Sequence, residues 1–194
     1  MRKTLSEVLV FGLLLILASG ARAQDQSVRH VVLRAGRILD VKTGNVLTDQ
    51  AIVIDGDKIV SVGPSAGAKV AAGATVIDLP DATILPGLID AHTHITFNQG
   101  DTGYSALGIS VPREALTGAK NARITLMAGF TTVRNVGASG FSDVALRDAI
   151  NAGDVPGPRM LVSGPALGIT GGHCDDNLLP FEYHHSAEGV ADGI

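Results

Sequence analysis

From Thr83 onward the chain alternates between two hydrophobic periodicities, and this restricts the available folds more than any other feature. "TILPGLIDAHTHI" (83–95) is a nearly continuous apolar run, the pattern of a strand buried on both faces. "PREALTGAKNARITLMA" (112–128) places Leu116, Ala119, Ala122 and Leu126 three or four residues apart, which predicts a helix. Pro112 suits its first turn and Gly129 its end. "FTTVRNVG" (130–137), rich in β-branched residues, predicts a second strand. "SDVALRDAINAG" (142–153) predicts a second helix, with Ser142 as N-cap and Gly153 as stop. "RMLVSGPAL" (159–167) predicts a third strand. An order of strand, helix, strand, helix, strand means parallel βα units, because parallel neighbours need a long crossover.

Residues 28–79 read differently, as short strands and turns. "VVLRAGRILD" runs into the turn chemistry of Thr43-Gly44-Asn45. In "AIVIDGDKIVSVG", Asp55-Gly56 sits between two apolar runs and signals a hairpin. "ATVIDLP" predicts a further strand that Pro80 ends. This all-β unit is too small to be comfortable alone and is expected to pack against the βα segment C-terminal to it.

The first 23 residues are expected to lie outside the fold. Arg2 and Lys3 precede the apolar run Val8–Ala18, and Ala21-Arg22-Ala23 fits a small-x-small cleavage pattern before Gln24. That is the design of a secretory signal peptide, and the run is short for the ~20 apolar residues of a membrane span. The expected location is therefore secreted or periplasmic, with no stable membrane anchor. Cys174 is the only cysteine, which excludes an internal disulfide even in an oxidising compartment. A net charge of −4 without a basic cluster, and the absence of tryptophan, argue against a nucleic-acid partner. A homo-oligomer remains compatible with this composition.

His92 and His94 end the first parallel strand. Residues i and i+2 of a strand project to one side, roughly 6.6–7 Å apart along the chain, so both imidazoles can lean onto one metal ion. His-x-His alone is a common pattern, and two merely packed histidines are the alternative. The context, with Pro86-Gly87 opening the strand, Leu88-Ile89 within it and Asp90 ahead of the pair, favours a metal site at the C-terminal end of a strand. Asp90 is expected to orient the strand end or the two histidines.

"PGLIDAHTHI" resembles the first-strand signature of the metal-dependent amidohydrolase superfamily. "AGFTTVRNVGA" and "GPRMLVSGPALGITGGHCD" resemble the second and third strands of its imidazolonepropionase-like, secreted dipeptidase-like branch. The likeness extends over residues ~30–194. It implies a small β-sandwich (24–85) preceding a (β/α)8 TIM-like barrel (86–194), of which only about three βα units are present. A full barrel takes ~250 residues. It also implies a zinc site of one or two ions, with His92 and His94 as its first two ligands. The resemblance places a lysine, two further histidines and an aspartate acting as general base beyond residue 194. The implied chemistry is metal-assisted hydrolysis of amide C–N bonds in a small-molecule or peptide substrate.

The same resemblance gives His173, in "TGGHCDD", a substrate contact, where Gly171 and Gly172 let the loop turn sharply. A solvent-exposed loop histidine is the plainer reading. His184 and His185 are adjacent, which suits chelation poorly and points to loop surface. Asn135 stands where many relatives carry aspartate, and Arg134 is structural or faces substrate. Because the remaining ligands are absent, the polypeptide alone is expected to be inactive; the competing reading is a truncated non-catalytic fragment or secreted binding module.

Overall fold

Residues 29–180 and 182–193 are described by the computed structural model, so the expected export segment, 1–23, lies outside the described residues. The chain divides into two units, Met1–Leu85 and Pro86–Ile194.

In the first unit β1 (His30–Leu39), β2 (Val46–Asp55), β3 (Lys58–Pro64) and β4 (Thr75–Ile84) form one sheet in the order β3-β2-β1-β4. β2 pairs antiparallel with β1 and β3, and β4 runs parallel to β1. The hairpin of β2 and β3 forms, but Asp55 pairs with Lys58, so the turn is centred on Gly56-Asp57 rather than on Asp55-Gly56. Pro80 does not end its strand. β4 continues to Ile84 through an irregularity opposite Gly36, on the sheet's edge, where proline's missing N–H costs no ladder bond. The Pro80 carbonyl comes so close that a Cβ on residue 36 would lie 1.7 Å from it, which explains the glycine there. Ala35, Ile38 and Ile52 form the buried cluster of this unit.

In the second unit β5 (Leu88–Thr93), β6 (Phe130–Asn135) and β7 (Arg159–Leu161) form a parallel sheet in that order. The crossovers carry a single-turn helix α1 (Tyr104–Leu107), then α2 (Val111–Met127), and α3 (Ser142–Ala152). Ile95, Ala122, Val133, Leu146 and Met160 make the core. Burying a side chain such as Leu146 stabilises by roughly 1.5–3 kcal/mol. Gly118 lets α2 close on this core, since a Cβ there would meet Leu146 at 2.8 Å.

Three expectations are corrected. The inward face of α2 is Glu114, Thr117, Gly118 and Ala122, while Leu116 is 69% exposed. Ala122 of the expected stripe is fully buried and Ala119 packs against the core, while Glu114, Thr117 and Gly118, which hydropathy does not select, complete the inward face. Ser142 is the first residue of α3, not its N-cap; its hydroxyl donates to Glu114 instead (3.1 Å). β5 is not buried on both faces: Ile89 is 72% exposed, because among the described residues the helices cover only one face of the sheet. Gly153 closes α3 in a left-handed conformation, and Gly129 follows the end of α2 with φ 97°. Among the described residues no helix is long and apolar enough to cross a membrane.

Candidate functional site

The C-terminal end of β5 carries the two histidines. His92 lies in the strand and His94 is the first residue beyond it. Their ring centroids are 5.5 Å apart and the rings meet edge to face. Both side chains are exposed. Asp90 Oδ1 accepts the His92 backbone N–H (3.0 Å), so the structure places this carboxylate on the main chain of the pair rather than on an imidazole. Arg134 Nε donates to the Ala91 carbonyl (2.7 Å) and ties β6 to the same strand end. The donor chemistry suits a divalent transition metal: two imidazoles sit side by side, and a catalytic zinc needs three protein ligands. Among the described residues no group of three histidine, cysteine, aspartate or glutamate side chains comes together to complete such a set.

Behind the pair lies a buried polar network. Asn135, at the end of β6, is fully buried, as is Asp143 in the first turn of α3. Asn135 Oδ1 accepts the Ile95 N–H at 2.7 Å. Its Nδ2 donates to the Gly137 carbonyl (3.0 Å) and to Asp143 Oδ2 (3.1 Å). Asp143 Oδ2 also accepts the Gly164 N–H (3.2 Å), and its Oδ1 accepts the N–H of Val144 (2.8 Å). The Asn135 amide thus joins the ends of β5 and β6 to the start of α3, and Asp143 brings in the segment after β7 through Gly164. His94 faces the same carbonyl, with Nδ1 3.4 Å from Gly137 O.

A cleft of about 460 Å³ opens beside His94. His173, Cys174, Asp176 and His185 from the loop after β7 line it, together with Phe97 and the buried Glu114. His94 and His173 therefore share a cleft, whereas His92 and His184 are not among its lining residues. His185 Nδ1 lies 2.8 Å from Asp176 Oδ2, so the expected surface histidine is an oriented wall of the cleft. Asp175 organises this loop by accepting N–H bonds from Gly171 (2.8 Å), Ala187 (3.1 Å) and Asp176 (2.9 Å). These bonds, Gly171's foremost, hold its carboxyl below the usual carboxylate range.

Glu114, Asn135 and Asp143 were not singled out as a buried network by sequence reasoning. Glu114 heads the i, i+3, i+4, i+8 row that faces inward, of which only Ala122 carries a hydrophobic signal in the sequence. It accepts the Ser139 N–H (3.3 Å) and the Ser142 hydroxyl, anchoring the loop that follows β6.

Comparison with known proteins agrees with this arrangement. The Amidohydrolase family profile matches residues 83–194. An adenine deaminase of Rubrobacter xylanophilus is 39% identical over 79 residues, 41% of this chain and 13% of that protein. An imidazolonepropionase of an Arthrobacter species is 36% identical over 93 residues, 43% of this chain and 23% of that protein. The crystal structure of a Xaa-Pro dipeptidase with bound methionine in the active site superposes with a TM-score of 0.71 at 34% identity. It covers 84% of this chain and 41% of its own. The chain thus spans less than half the length of these relatives. With a parallel sheet whose first strand ends in His-x-His, and with more than half its residues matched, the chain belongs to the amidohydrolase family, on its imidazolonepropionase-like branch.

Proposed function

We propose that this chain carries part of the active site of a metal-dependent hydrolase that cleaves C–N bonds in small amides or peptides. The observation that carries this reading is the His92–His94 pair, 5.5 Å between ring centroids, at the end of a parallel strand inside the family match. The names of the similar proteins, an adenine deaminase, an imidazolonepropionase and a Xaa-Pro dipeptidase, support the bond type and leave the substrate as part of the proposal. β5–β7 with their helices would be the first βα units of a (β/α)8 barrel, and β1–β4 one layer of a β-sandwich.

In this reading His92 and His94 hold a divalent ion, zinc by preference for nitrogen donors. When bound, such an ion polarises the scissile group and brings the pKa of water toward ~7. The chain's own contribution is placement. Asp90 steadies the backbone of the pair, the cleft beside His94 takes the substrate, and His173 touches it from the loop. The general base and remaining ligands are not assigned to residues of this chain. Export through residues 1–23 would put the enzyme outside the cytoplasm.

Metal content decides the central point. His92→Ala and His94→Ala, each compared with the parent after dialysis against trace zinc, are expected to weaken binding by more than the roughly 10–100-fold that losing a supporting residue costs. Equal zinc in parent and both variants would make the histidines structural and remove the basis for metal chemistry.

A further inference from the structure

We infer that Asn135 is the positioning residue for His94: it sets which ring nitrogen carries the proton and where the ring sits. The inference rests on the metal reading of the pair and goes beyond it, because Asn135 touches neither the cleft nor a ligand ring.

The orientation of the Asn135 amide is unambiguous. Its oxygen faces an N–H, that of Ile95, and its nitrogen faces two acceptors, the Gly137 carbonyl and the Asp143 carboxylate. Turning the amide over would set oxygen against two oxygens and nitrogen against an N–H. In a fully buried site such mismatches leave groups unsatisfied, each costing more than a surface bond would. Asp143, itself fixed by the Val144 and Gly164 amides, thus locks the amide in one state.

That state acts on His94 from two sides. The N–H held by Asn135 Oδ1 belongs to the peptide that follows His94, so the backbone exit of the histidine is pinned. The carbonyl held by Asn135 Nδ2 belongs to Gly137, the group toward which His94 Nδ1 points. A carbonyl only accepts, so the bond requires the proton on Nδ1 and leaves the Nε2 lone pair free for a ligand role. Gly137 also seats the ring. A Cβ on residue 137 would lie 3.2 Å from His94 Cε1 and 3.3 Å from Nδ1, so the ring rests directly against the glycine backbone. Any drift of the Gly137 carbonyl moves the surface on which the imidazole lies.

The test uses the whole chain, ¹⁵N-labelled at histidine, without metal. Long-range ¹⁵N–¹H spectra at neutral pH report the tautomer of each ring, and His94→Ala assigns the signal. The expected result is a proton on Nδ1 of His94 in the parent. Asn135→Asp keeps an acceptor for the Ile95 N–H but loses both donors. It sets oxygen against the Gly137 carbonyl and the Asp143 carboxylate, so a lower melting temperature is expected; measured well below that melt, the folded variant is expected to give a mixed tautomer at His94 and about 10–100-fold weaker zinc binding. The zinc effect should vanish in a His94→Ala background, which a general loss of stability would not do. A parent His94 protonated on Nε2 overturns the inference whatever the variant does. So does a folded Asn135→Asp chain with the parent's His94 signal. A parent that shows the expected tautomer yet binds no zinc would leave the positioning role standing and sink the metal reading instead.

Discussion

His94 is held by its surroundings more than its exposure suggests. Its ring lies edge to face with His92, stacks on Phe97 at 6.2 Å between centroids, and rests against Gly137. His173 is the opposite case, an exposed ring on a loop whose backbone, not whose imidazole, is fixed. This difference separates two roles. Replacing His173 should leave zinc binding as in the parent, since it belongs to no group of three metal-ligating side chains among the described residues. In the enzyme that carries this chain, His173→Ala is expected to lower kcat/KM about tenfold, the upper range for one lost hydrogen bond, without releasing metal. Steady-state kinetics beside metal analysis checks this; loss of metal would place His173 among the ligands, and unchanged kinetics would return it to the surface.

At the scale of elements, the loop after β7 is the least regular part of the site, and it is held by carboxylates. Asp192 accepts both the Thr170 hydroxyl and the Thr170 N–H, and Asp175 gathers three backbone N–H groups. The hydroxyl bond foremost lowers the pKa of Asp192, as the Gly171 amide does for Asp175. A depressed folded-state pKa means that each group stabilises the loop above the unfolded value of about 3.9 and that this is lost as pH falls through the lower folded value. Hydrogen-exchange protection of the Gly171 and Ala187 amides should therefore stay constant through neutral and mildly acidic pH and fall only below about pH 4. Asp175→Asn should lower that protection already at neutral pH and flatten its pH dependence. Protection that declines near neutrality would assign the loop's stability to the histidines instead. The helices show why element-level reading goes only so far. Gly129 and Gly153 stop their helices where local chemistry says, because a left-handed glycine acts within one turn. Hydrophobic spacing finds only part of the inward face of α2, Ala119 and Ala122, because Glu114 is buried by partners that lie elsewhere in the chain, at Ser139 and Ser142.

At the scale of the whole molecule, the two units each leave apolar strand residues exposed, such as Ile59 in β3 and Ile89 in β5. The proposed export rests on the first 23 residues. The basic residues, the apolar run and Ala21-Arg22-Ala23 lead to the expectation that exported material begins at Gln24. N-terminal sequencing of that material reads this directly, and an exported chain retaining Met1 would refute it. What the sequence by itself determined is the succession of elements, the hairpin and the parallel βα order, because hydrophobic period and turn chemistry act over a few residues. The His-x-His at a strand end was likewise legible, being a local spacing. Only the tertiary structure decided that Pro80 continues its strand, that Ser142 serves Glu114 rather than its own helix, and that Asn135 and Asp143 together join three strand ends. The Asn135–Ile95 bond spans 40 residues of sequence, and the side-chain bond to Asp143 exists only because the start of α3 comes down on the end of β6. Such partners are chosen by packing in three dimensions: Ile95 lies outside any local window around Asn135, and Asp143, though only eight residues away, is no neighbour of it on a common strand or helix.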